Sequence, residues 1–80
     1  MNDDEVIQRI GALVDEEHAI ERAIGEQGVE PELDERRRSI EVALDQCWDL
    51  LRQRRARRHS GDDPDTAHVR PPEVVERYQQ

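Results

Sequence analysis

Two runs of the chain carry apolar residues at alternating spacings of four and three, and a charged residue interrupts each run. The first reads Val6, Ile10, Leu13, Glu17, Ile20 and Ile24. The second reads Leu33, Arg37, Ile40, Leu44, Cys47 and Leu51. This is the a/d seam of a coiled coil, a pattern that no strand can satisfy. A helix with such a narrow apolar stripe needs another helix against it. The two intruding charges have opposite signs, so an antiparallel hairpin with Glu17 and Arg37 as a structural ion pair setting its register is the simplest fold for both seams.

The segments around the seams agree. Acidic residues at Asp3 and Asp4 suit a helix start, and Gly25 and Gly28 suit its end, so the first helix is expected over about 4–24. Pro31 opens a second helix expected over about 31–58, after a loop of about four to six residues. Ser60, Gly61 and Pro64 then break the helix. The chain divides into a hairpin over 1–59 and an acidic, proline-containing tail over 60–80, with a short helix over 72–78. If the loop centres near Gly28, residues whose numbers sum to about 57 face each other. Leu13 then meets Leu44, Val6 meets Leu51, and Arg54 stands opposite Asp3. Arg37 lies opposite Ile20, one turn from Glu17.

Charge follows the same division. Residues 1–35 hold twelve acids and two Arg, a net of −10. Residues 36–58 hold three acids and eight Arg, a net of +5. Doubling the chain back neutralises the first block with the second. The whole chain is at −8, which disfavours nucleic acid and anionic membranes as generic partners. No segment has the length and apolarity of a membrane span or the pattern of a secretion signal, and a single cysteine fits a reducing compartment. A cytoplasmic location is the expectation.

The apolar arc of each helix is wider than one partner can cover. Ile7 and Val14 flank the first seam; Ala43, Leu50 and Cys47 lie on one flank of the second and Trp48 on the other. The expectation is that two hairpins join as a homodimeric four-helix bundle, the alternative being that the tail covers the second flank. Trp48, Val74, Val75 and Tyr78 are candidate residues for binding an unidentified protein partner. Arg52, Arg54, Arg55, Arg57 and Arg58 are candidates for tracking nucleic-acid phosphates, although Arg also belongs at a helix C-terminus for dipole reasons. No aromatic interleaves them, so single-strand stacking is not indicated.

Chemistry is thinly represented. Asp15, Glu16, Glu17 and His18 resemble the acid-His run of di-iron bundles, but Asp15 and His18 project away from the seam. Cys47 sits on the seam as a small apolar residue. There is no phosphate loop, paired-cysteine motif or zinc-protease motif. The expectation is a non-enzymatic interaction module with no cofactor and no metal, the alternative being an RNA- or ribosome-associated accessory protein using the face from Arg52 to Arg58.

Several stretches together resemble a known family. They are Leu13-Val14-Asp15-Glu16-Glu17-His18, the run from Leu44 through Asp45-Gln46-Cys47-Trp48-Asp49-Leu50-Leu51 to Arg58, Asp63-Pro64-Asp65, Val69-Arg70-Pro71, and Val75-Glu76 with Tyr78. They are similar to the small actinobacterial family catalogued as domain of unknown function 2630. The resemblance implies an actinobacterial source, in agreement with twelve Arg and no Lys. It implies no activity and no site residues.

Overall fold

In the computed structural model, which describes residues 1–76, the chain is all-α. Helix α1 spans Asp3–Gln27 and α2 spans Pro31–His59; a 3-10 turn follows at Pro64–Thr66, and α3 spans Pro72–Glu76. α1 and α2 pack as the antiparallel hairpin that the seams require.

The helix ends differ in detail from the expectation, for local reasons. The N-cap is Asn2, one residue ahead of the acidic pair. The Glu5 N–H donates to Asn2 Oδ1 at 2.8 Å, and the Asn2 N–H donates to Glu5 Oε1 at 3.0 Å. This reciprocal capping box satisfies two backbone donors, which a carboxylate at the next position would not improve on. α1 also runs past Gly25 to Gln27. Gly25 continues the helix, and Gly28, at φ +87°, ends it with its N–H donating to Ile24 O. The connection is therefore only Gly28, Val29 and Glu30, shorter than expected. At the far end of α2, Gly61 takes φ +85°. Its N–H bonds Arg58 O, and the Asp62 N–H reaches back to Arg57 O at 2.7 Å, a Schellman closure.

The seams form the core in two clusters. Val6, Ile10, Leu50 and Leu51 occupy the open end of the hairpin, and the tail's Ala67 packs against them. Leu13, Ile20 and Ile40 occupy the middle, with Ile24 and Leu33 continuing toward the loop. Leu44 and Cys47 bridge the two clusters.

α2 is the central element. α1 lies along one side, and the 3-10 turn and α3 lie along another. The chain's own tail covers the flank of α2 that bears Leu50. Val75 is spent in doing so, being only 2% exposed.

Candidate interaction surface

The Arg-rich end of α2 is divided by the acids around it. The Arg54 side chain is buried, and its Nε–H donates to Asp3 Oδ1 at 2.6 Å. Its Nη1 donates to Asp65 Oδ1 at 2.9 Å and to the Pro64 carbonyl. Arg58 grips the same Asp3 with both terminal nitrogens, at 3.0 and 2.6 Å. Asp3 thus receives three charge-assisted hydrogen bonds, led by Arg58, which hold its carboxyl down at about 2. The Asp3–Arg54 pairing lies where the register of the seams places it. Arg52, Arg55 and Arg57 have no salt-bridge partner among the described residues. Arg52 and Arg55, with Ala56 and His59, line a shallow open groove of about 390 Å³.

The Glu17–Arg37 pair does not form. Arg37 Nη2 donates to Asp34 at 2.6 Å, one turn back on its own helix, and Arg38 joins the same carboxylate at 2.9 Å. A partner one turn away requires no reach across the seam, so the local acid wins. The ion pair that crosses the hairpin is one residue over, Arg36 with Glu16 at 2.7 Å, and both side chains are well exposed. Such a pair contributes little to stability. The buried charged group tied across the two helices is Arg54, at the opposite end from the loop.

The tail is held by contacts that periodicity does not reveal. Asp49 on α2 is 1% exposed. Arg70 Nε donates to its Oδ2 at 2.9 Å, Arg70 Nη2 donates to its other oxygen, and Gln53 adds a bond at 2.9 Å. Arg70 above all draws the Asp49 carboxyl below its ordinary range, against the opposing effect of burial. Gln46 and Gln53 donate to the carbonyls of Arg70 and His68, at 3.1 and 2.8 Å. Residues 46, 49 and 53 form one polar stripe along α2, and the tail lies on it. The only hint in the sequence is that stripe. Its partner lies in an aperiodic segment about twenty residues away.

The remaining candidates fall on different sides. Val75 is buried against its own hairpin, and Val74 is half-buried. Tyr78 lies outside the described residues. Trp48 remains 48% exposed and Ile7 55% exposed. On the helical wheel Ile7, Gly11, Val14, His18 and Glu21 form one column of α1. Arg37, Glu41, Trp48 and Arg55 form a column of α2. Antiparallel packing turns both columns toward the same side of the hairpin, away from the polar stripe that holds the tail. This flank therefore pairs an exposed aromatic with exposed and half-buried aliphatics.

Cys47 is half-buried, and desolvation pushes its thiol pKa up, away from reactivity. It borders a groove of about 160 Å³ on the tail side, together with Arg9, Leu50 and Val69. Among the described residues, no three or more His, Cys, Asp or Glu are grouped to hold a metal ion. No helix among them is long and apolar enough to cross a membrane.

Known proteins similar to this chain carry no assigned role. The model of a family described as protein of unknown function (DUF2630) matches residues 2–80. An uncharacterized protein of Mycobacterium bovis is 49% identical over 77 residues, covering 95% of this chain and 88% of the relative. Uncharacterized proteins from two strains of Mycobacterium tuberculosis match to the same extent. No solved structure matches the chain.

Proposed function

We propose that this chain, which belongs to the DUF2630 family, is a non-enzymatic helical interaction module that docks a folded polypeptide on the flank bearing Ile7, Val14 and Trp48. The observation that carries this reading is Trp48 itself. The hairpin and tail bury Ile40, Leu50 and Leu51 and half-bury Leu33 and Leu44, but leave the one tryptophan half in water. Exposed aromatics beside aliphatics are the usual anchors of protein interfaces. The alternative, a phosphate-tracking Arg face, is weakened by Arg54 and Arg58. Both are bound to Asp3, and Asp65 adds a second acid to Arg54. The three Arg of that face without a salt bridge among the described residues, on a chain of net charge −8, form a poor electrostatic footprint.

The test uses a photo-crosslinking residue placed at position 18, on the same flank, in one variant and at position 8, on the outer face of α1, in another, each expressed in a mycobacterial cell. The expected result is one discrete protein adduct at position 18 that resists nuclease and disappears when Ile7→Glu is added. Absence of an adduct at 18, equal labelling at 8, or a nuclease-sensitive adduct would overturn the reading.

A further inference from the structure

We infer that the occupant of the Ile7–Trp48 flank is a second copy of this chain, joined about a two-fold axis parallel to the helices so that α1 of each copy lies over α2 of the other. This rests on the reading of that flank as a docking surface and names its partner.

Three observations converge on this arrangement. The first is register. A rotation axis along the helices leaves every residue at its own height, so the pairing rule within the hairpin also governs pairing between copies. On the exposed columns, residues whose numbers sum to about 58 then meet across the interface. Gly11 faces the partner's Trp48, His18 faces the partner's Glu41, and Glu21 faces the partner's Arg37. At the rim, Asp4 approaches the partner's Arg55. Each pair matches a large group with a small one or an acid with a base.

The second is Gly11. It lies within α1, is exposed, and has nothing within 4 Å of where a Cβ would stand. A glycine inside a helix costs stability relative to alanine, and no contact among the described residues requires one there. A partner's indole seated over position 11 supplies the reason, because only glycine leaves a notch at that height.

The third is charge and size. α1 carries eight acids and two Arg, so stacking α1 on its own copy would set like charges together, whereas stacking it on α2 meets the Arg-rich end. A face two helices wide and about 37 Å long is roughly 700 Å², close to the ~800 Å² per partner of a stable interface.

Sedimentation of the intact chain from about 1 to about 200 µM should give a reversible dimer in the micromolar range. Trp48→Ala should weaken it at least about tenfold. Gly11→Leu should fill the notch and weaken it similarly, while Gly11→Ala should raise the melting temperature of the monomer, which separates lost association from lost folding. On a Cys47→Ser background, an equimolar mixture of His18→Cys and Glu41→Cys chains treated with a short bis-maleimide should give mainly the mixed crosslink. A chain that stays monomeric throughout, a dimer indifferent to Trp48→Ala and Gly11→Leu, or crosslinking only between like variants would overturn the inference. The photo-crosslinking experiment keeps the two claims apart. An adduct at position 18 whose mass differs from two chains would retain the docking flank and remove the second copy as its occupant.

Discussion

The Asp49 carboxylate lies buried on α2 beneath the Arg70 guanidinium, so a residue of the aperiodic tail neutralises a charge that the helix alone would leave without a basic partner. Gln53 fixes the same carboxylate from one turn along α2 and also holds the His68 carbonyl, so one polar stripe satisfies both side chains and backbone. Through this stripe the tail becomes part of the fold, and Val75 is carried onto the hairpin.

Arg70→Ala leaves the Asp49 carboxylate buried with Gln53 as its one remaining hydrogen-bond partner among the described residues, and should destabilise the fold by about 3 kcal/mol. Asp49→Ala should cost less, because Arg70 is partly exposed and can turn into water. Urea unfolding followed by Trp48 fluorescence measures both. Equal stability of Arg70→Ala and wild type would mean that the tail does not rest on α2.

Asp3 sets an acid limit on stability. Its carboxyl titrates at about 2 in the fold against an ordinary 3.8, through the hydrogen bonds from Arg58 and Arg54. Because the folded value is the lower one, its contribution is complete above the ordinary value and is lost as pH falls through 3.8 toward 2. Asp49, also depressed, acts in the same direction. The melting temperature should therefore drop between pH 4 and pH 2, and Asp3→Asn should flatten that drop. An unchanged profile in the variant would remove Asp3 from the account.

Gly28 and Gly25 should respond in opposite ways to alanine. Gly28 ends α1 at φ +87°, a region that disfavours any Cβ, so Gly28→Ala should cost about 1 kcal/mol. Gly25 lies inside α1 with open space around it, so Gly25→Ala should stabilise by about 1 kcal/mol. Thermal melts of the two variants give the comparison.

The hairpin should depend on its seam more than on any ion pair near the loop. Ile40 is fully buried, and Ile40→Ala should cost about 3 kcal/mol through lost burial and a cavity. Glu16→Ala and Glu17→Ala should each change stability by no more than about 1 kcal/mol, the first because its partner Arg36 is exposed and the second because Arg37 is already bound to Asp34. Urea midpoints of the three variants should fall in that order.

Position along the chain was enough to fix the hairpin. The repeat of four and three recurs on both sides of Gly28, helix geometry converts it directly into facing ridges, and the same numbering brings Arg54 to Asp3. The same numbering puts Arg37 opposite Ile20, so the Glu17–Arg37 pairing rested on opposite signs one turn apart, and the side chains chose Glu16 with Arg36 and Asp34 with Arg37 instead. Flexible side chains select among acids at similar height according to reach and exposure, and spacing carries no information about either. The route of residues 60–76 was decided only in three dimensions. Nothing periodic links Asp49 to Arg70 or Val75 to α2, because the contact lies between a regular helix and an irregular segment. It is held by the burial of Val75 and Ala67 and by a carboxylate that only Arg70 neutralises once buried, relationships that exist only when the chain has folded.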